Sequence, residues 1–168
     1  MTGNSELAPA HRLDRLTSGI LLFTKHREVR GAYQTLFAEK KVSKTYQAIA
    51  KYRRFPTPLQ WSSHLTKNPG EIQGRIGDGP PNAFTTLASV DRIDNAPYEK
   101  LHGHLPELGI YTLNPTTGKT HQLRLHMWQA GVPILGDPVY PEIFPEEAED
   151  MRIPMHLSLI HISEPTRL

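Results

Sequence analysis

Three groups of residues have the types and spacing to do chemistry. The first is His11-Arg12-Leu13-Asp14-Arg15-Leu16-Thr17-Ser18-Gly19. An acid flanked closely by two guanidinium groups fits an ionised carboxylate in a basic pocket, because nearby cations favour its charged, nucleophilic form. The same residues also fit a structural turn, with Asp14 capping a backbone amide and Arg15 facing water. The second group is Lys44-Thr45-Tyr46. Its tyrosine offers a flat ring for stacking on a base and a hydroxyl that can donate or accept a proton, although half-buried tyrosines are also ordinary core residues of strands.

The third group is Thr117-Gly118-Lys119-Thr120-His121-Gln122-Leu123-Arg124-Leu125-His126, followed by Gly131-Val132-Pro133-Ile134-Leu135-Gly136-Asp137-Pro138. A phosphate-binding P-loop ending in Gly118-Lys119-Thr120 would need a glycine five residues earlier, where Leu113 stands, so nucleotide hydrolysis is rejected. His121 and His126 lie roughly 140° apart around a helix and do not share a face as a zinc-binding i, i+4 pair does. His102 and His104 could share a strand face, but nothing else supplies a metal site. Arg124 can reach an acid held elsewhere, and the amides that open a helix here could meet a phosphate.

The surrounding pattern predicts what positions these groups. The apolar run Gly19 to Thr24 reads as a buried strand. Val29, Tyr33, Leu36 and Phe37 then recur at the spacing of one helical face, predicting a helix over Glu28 to Lys40 despite Gly31. Lys44 to Ala50 alternates as a strand, with Tyr46, Ala48 and Ala50 on one side. Asn68 to Asn82, with four Gly and three Pro, reads as an exposed loop or loose hairpin. Strands are expected at Gln60 to Leu65, Ala83 to Val90, Glu99 to His104 and Gly109 to Leu113. Thr120 can cap a helix from His121 to Ala130, which Gly131 and Pro133 would end. These elements add up to an α+β fold with a mixed, mainly antiparallel sheet and few helices.

Composition narrows the classes. The chain of 168 residues is 38% hydrophobic and 21% charged, with 15 Pro and 12 Gly, which fits one loop-rich globular domain rather than a disordered chain. The absence of Cys excludes disulfides and thiolate metal sites and fits a reducing, cytoplasmic location. No run reaches the roughly 18 apolar residues of a membrane helix, and Met1 to Ala10 has no signal-peptide pattern. The net charge of +2 hides a division: residues 1 to 67 carry twelve Lys/Arg against four Asp/Glu, whereas residues 68 to 168 carry seven against thirteen. The basic half, which includes Lys25, Lys51, Arg53 and Arg54, is what a polyanionic partner needs, and solvated faces of opposite sign would explain the same division.

Taken together, the three groups resemble the RluA-like family of RNA pseudouridine synthases. H-R-L-D-R-L-T-S-G is similar to that family's H-R-L-D-x-x-T-S-G signature; G-K-T-H-Q-L-R-L-H with G-V-P-I-L-G-D-P-V-Y is similar to its late motif, and K-T-Y lies between them in the family's order. The resemblance covers Pro9 to about Tyr140, and Lys119 stands where the family usually has Arg. It implies isomerisation of uridine to pseudouridine in structured RNA, ribosomal or transfer, without a cofactor or metal. It also implies roles for particular residues. Asp14 would be the nucleophile, Tyr46 would stack on the uracil and assist proton removal from C5, and Arg124 would pair with Asp14. Arg12 would help extrude the target nucleotide, and Arg15, Lys44, Lys119 and His121 would contact RNA. These roles agree with the chemistry of extruding a base and of holding a buried acid.

Both ends depart from the family. The family's opening strands precede H-R-L-D, whereas this chain starts ten residues before His11, so residues 1–156 are expected to be a catalytic core truncated at its N-terminus. Such a piece could also be an inactive RNA-binding fragment. Leu157 to Arg167 matches the translation of one frame of a transposase adapter used in sequencing libraries, so residues 157–168 are expected to be adapter read-through without evolved function.

Overall fold

The computed structural model describes residues 3–143 and 154–163. It is α+β, mainly antiparallel and poor in helix, as the patterning predicts. Three two-residue strands come first: β1 (Ala8–Pro9), β2 (Ser18–Gly19) and β3 (Phe23–Thr24). Helix α1 (Arg30–Ala38) and the long strand β4 (Ser43–Lys51) follow. Next come β5 (Leu59–Thr66), β6 (Arg75–Gly77), β7 (Ala83–Ile93), helix α2 (Ala96–His102), β8 (Leu108–Pro115), helix α3 (Gln122–Gln129) and β9 (Leu157–Ser163). Seven strands form one sheet in the order β2-β9-β4-β8-β7-β5-β6, in which only β2 and β9 run parallel; β1 and β3 pair separately.

The core explains why β4 and β8 occupy the centre. Ala48, Ala50, Leu87, Tyr111 and Leu113 from the sheet meet Leu123 and Met127 of α3 in one buried cluster. Small Ala side chains on β4 let α3 lie close over the sheet, and a central strand satisfies its backbone on both edges. Helix α3 ends as expected. Gly131 takes a left-handed φ of 74°, Val132 N–H donates to the Met127 carbonyl at 3.0 Å, and Gly131 N–H donates to that of Trp128 at 2.9 Å.

Three expectations need correction, and one is settled between its alternatives. The apolar run Gly19 to Thr24 is not a buried strand: Ile20, Leu21 and Phe23 are 43, 38 and 45% exposed. Ile20 and Leu21 lie between β2 and β3 and Phe23 opens β3, each more than a third exposed, which composition cannot reveal. Glu99 to His104 is not a strand but lies in and after α2, where Pro97 fits the first turn and the Asp94 carboxylate accepts the Ala96 N–H at 3.1 Å. His102 therefore shares no strand face with His104, and its Nε2 lies 2.9 Å from Nε2 of His156. Of the two alternatives for Asn68 to Asn82, the hairpin is the one formed, its short strand β6 pairing antiparallel with β5. Thr120 does not cap α3. His121 holds that position, with φ 57° and ψ 21° and no side-chain cap.

Strand β9 sits inside the sheet between β2 and β4, burying Leu157 and Leu159. Gly19 comes so close to it that a Cβ would run into the Leu159 carbonyl oxygen, at a φ of 117° that already favours glycine. Residues 164–168 of the expected adapter segment, and the acids from Glu146 to Asp150, lie outside the described residues.

On the buried side of α3, His126 is 1% exposed, with Nδ1 2.9 Å from Thr85 Oγ1 and Nε2 buried without a partner among the described residues. Burial pushes its pKa down to about 4. The unfolded chain therefore binds a proton between about pH 6.5 and pH 4 that the folded chain does not, and stability falls as pH drops through that window. The loss at the low end is on the order of 3 kcal/mol. Urea midpoints measured from pH 7.5 to 4.5 are expected to fall steeply for the natural chain and less steeply for His126→Leu. Equal slopes would remove His126 as the source.

Candidate active site

The three chemical groups, separated by up to a hundred residues in sequence, line one cleft of about 450 Å3. That is within the roughly 300–1,000 Å3 usual for small-ligand sites. Arg12 and Asp14 come from the segment after β1, Lys44 and Tyr46 from the first half of β4, and Lys119, His121 and Arg124 from the loop and helix after β8. Arg15 is exposed and does not line the cleft.

His11 ties the Asp14 segment to the fold. Its ring stacks on Phe37 of α1 at 4.9 Å, and its Nε2 accepts the Leu22 N–H at 3.1 Å. That bond leaves the ring hydrogen on Nδ1, which faces the Arg12 carbonyl at 3.4 Å. Burial lowers the pKa of His11, which keeps this neutral arrangement in place. A turn then closes with Thr17 N–H donating to the Asp14 carbonyl at 3.0 Å. The chain does turn here, but through the Asp14 main-chain carbonyl and not through a side-chain cap, so the carboxylate is left to line the cleft.

Tyr46 is half-buried opposite Leu113 of β8 and Leu159 of β9. Burial and then the negative charge of Asp14 push its pKa up to about 12. At neutral pH it is a protonated phenol with a ring to stack on, and its hydroxyl cannot act as a standing base. Lys44, two residues earlier, has its pKa lowered by burial.

The wall after β8 is built on Gln122, a residue to which the spacing arguments gave no role. Its buried amide donates to the Phe84 carbonyl at 2.9 Å and to Thr85 Oγ1 at 3.0 Å. Its oxygen accepts the Thr117 hydroxyl at 2.7 Å and the Lys119 N–H at 3.1 Å. This network shapes the loop that presents Lys119 and puts His121 in its left-handed conformation. Tyr140 completes the wall. Its hydroxyl oxygen accepts the Gly74 N–H at 2.6 Å, leaving its hydrogen for His121 Nδ1 at 3.0 Å. His121 thus carries its own hydrogen on Nε2, and burial together with the Arg124 charge lowers its pKa, so it is a neutral donor.

Arg124 does not pair with Asp14. Its guanidinium grips Asp137 with both prongs, Nε to Oδ2 at 2.7 Å and an Nη to Oδ1 at 2.6 Å, the two side chains being 4% and 1% exposed. Asp137 also accepts the N–H groups of Val139 and Tyr140 at 2.8 and 3.1 Å. An acid at the start of the following loop meets these donors more fully than Asp14 across the cleft. Asp137 was visible within the late motif, but nothing in the local spacing distinguishes it from Asp14 as the partner.

Comparison with known proteins places the chain in a family. The family model described as RNA pseudouridylate synthase matches residues 2–129. A tRNA pseudouridine synthase C from Vibrio vulnificus is 30% identical over 94% of this chain and 66% of that protein. A ribosomal large subunit pseudouridine synthase C from Rickettsia prowazekii is 34% identical over 92% of this chain and 48% of that protein. The chain spans about half to two thirds of the length of these curated relatives. Among solved structures, human RNA pseudouridylate synthase domain containing 1 matches with a TM-score of 0.76 and 26% identity, covering 95% of this chain and 64% of that one. With the sequence motifs, the sheet and most of the chain's length matched, the protein belongs to the RNA pseudouridylate synthase family.

Proposed function

We propose that the chain carries the catalytic centre of an enzyme that converts uridine to pseudouridine in ribosomal or transfer RNA in the cytoplasm. The observation that carries this reading is the meeting of Asp14, Tyr46, Lys119 and His121 in one cleft. Among the described residues lining it, Asp14 is the one carboxylate among several cations. That environment attracts a phosphate backbone and leaves Asp14 as the one acid beside it among the described residues. The isomerisation is balanced: an Asp14 oxygen bonds to C1′ as the N1–C1′ bond breaks, the base turns, C5 bonds to C1′ and displaces Asp14, and the proton lost from C5 is matched by one gained at N1. Tyr46 stacks on the turning base, Arg12 fills the place the nucleotide leaves, and Lys44, Lys119 and His121 hold the RNA around it. No helix among the described residues is long and apolar enough to cross a membrane.

The reading is tested with ribosomal and transfer RNA carrying tritium at uridine C5. Release of tritium to water faster than in protein-free controls is expected for at least one of the two; none from either would refute it. Within that assay, Tyr46→Phe keeps the stacking ring and loses the hydroxyl. RNA affinity is expected to stay within a factor of two, while the release rate falls by about 10²-fold or more. A rate near that of the natural chain would limit Tyr46 to stacking.

The core is proposed to be residues 1–156 and residues 157–168 to be adapter-derived. Strand addition needs main-chain hydrogen bonds and alternating apolar residues, both of which Leu157 to Ser163 can offer whatever its origin. The genomic reading frame after His156 decides this: the same eleven residues in DNA read without library adapters would overturn it.

A further inference from the structure

The basic, aromatic sequence Lys51-Tyr52-Arg53-Arg54-Phe55, which the cleft does not use, lies at the far end of β4. Tyr46 and Tyr52 are six residues apart, about 20 Å along the strand direction. There Tyr52, Arg54, Phe55, Pro56, Thr57 and Val90 line a second hollow of about 650 Å3. The surrounding fold holds this segment firmly. The Tyr111 hydroxyl donates to the Lys51 carbonyl at 2.7 Å and accepts the Arg53 N–H at 3.0 Å. Arg53 donates to the Ala130 carbonyl at the end of α3 at 3.0 Å and lies 5.3 Å from the centre of the Phe55 ring. Arg92 stacks over Tyr52 at 4.6 Å and pairs with Glu107 at 3.0 Å. Lys51 and Arg54 are exposed and make no ion pair among the described residues. Asp91 follows Val90 in β7, and strand alternation turns its side chain to the other side of the sheet.

We propose that this hollow is a second RNA contact, which binds a single-stranded or looped stretch flanking the nucleotide held in the cleft. The inference rests on the reading of the cleft as an RNA site. Aromatic rings that line a hollow, interleaved with cations held in place, are what successive bases and phosphates require of a sequence-tolerant site. A span of about 20 Å corresponds to about six stacked nucleotides at ~3.4 Å each. This straight-line distance along buried β4 is a minimum, so a strand must be longer than about six nucleotides to fill both sites, and a short one held in the cleft does not reach the hollow. An acidic peptide would meet the same charges but would make no use of the rings.

The test uses the full chain and two fluorescein-labelled oligouridylates, a 14-mer and a 3-mer, titrated at several salt concentrations. Lys51→Gln/Arg54→Gln is expected to weaken the 14-mer about tenfold, leave the 3-mer unchanged, and reduce the 14-mer's log–log salt slope by about 1.4, the single-strand value for two lost phosphate contacts. Tyr52→Leu is expected to weaken the 14-mer by about fivefold or more with the slope unchanged, the mark of lost stacking. Unchanged 14-mer affinity in both variants would overturn the proposal, as would loss of poly-glutamate binding with RNA binding intact. Tritium release by the natural chain reports separately on the cleft, so failure of the hollow and failure of the cleft are distinguishable.

Discussion

Replacing Asp14 with asparagine is expected to lower tritium release from C5-labelled RNA by about 10⁴-fold or more, the scale of losing a nucleophile. Asparagine keeps the size and shape of the side chain and removes only the charge and the nucleophilic oxygen. Among the described residues, the Asp14 carboxylate accepts no hydrogen bond within the protein, and the turn uses its main-chain carbonyl. The fold therefore has little reason to notice the change, and the melting temperature should move by no more than a few degrees. RNA affinity is expected to hold or improve, because a negative charge leaves a cleft that also presents Arg12, Lys44 and Lys119 to a polyanion. A variant that still releases tritium within tenfold of the natural rate would remove Asp14 from the nucleophile's role. A variant that fails to fold would be recognised by its lost melting transition, and Asp14→Ala provides the second measurement.

How much of this arrangement was legible in the sequence depended on whether the signal was local. Strand β4 and helix α1 follow from apolar spacing because the periods of 2 and 3.6 survive in the residue order, whereas α3, buried almost all round, follows from its stop signals Gly131 and Pro133. The run Ile20 to Phe23 shows the limit: apolarity can be counted, but whether anything covers it is a property of the fold. At Glu99 to His104, a weak alternation outweighed a better signal upstream, Asp94-Asn95-Ala96-Pro97, which opens a helix through a side-chain acceptor and an early proline. The cleft was legible as three motifs and not as a geometry. Its members Asp14, Tyr46, Lys119 and His121 do meet, whereas the supports of Gln122 and Tyr140 reach back to Phe84 and Gly74, whose parts no local spacing could announce.

The same limit applies to Arg124, where sequence and structure give the residue different work. Paired with Asp14 it would act on the nucleophile directly; paired with Asp137 it clamps the end of the late motif onto α3, behind the cleft wall. The second arrangement makes a strong stability prediction. Arg124→Met leaves the Asp137 carboxylate 1% exposed, with two backbone donors and no counter-charge. Removing one partner of a buried pair costs about 3–5 kcal/mol, a large share of a domain's total of roughly 5–15 kcal/mol. Urea unfolding is expected to show a loss of this size for Arg124→Met and for each of Asp137→Asn and Asp137→Ala, the Arg124→Met and Asp137→Asn singles being the ones compared with the double variant. The double variant Arg124→Met/Asp137→Asn should recover much of it, because no isolated charge remains. A structural clamp and a partner of Asp14 differ in this recovery. If the two single losses simply add in the double variant, the pair is not the unit that holds the wall. If Asp137→Ala leaves stability unchanged while Asp14→Asn destabilises the chain by several kcal/mol, Arg124 belongs to Asp14 after all. The geometry of two bonds of 2.7 and 2.6 Å to Asp137, beneath the Tyr140 ring at 5.2 Å, argues for the first outcome.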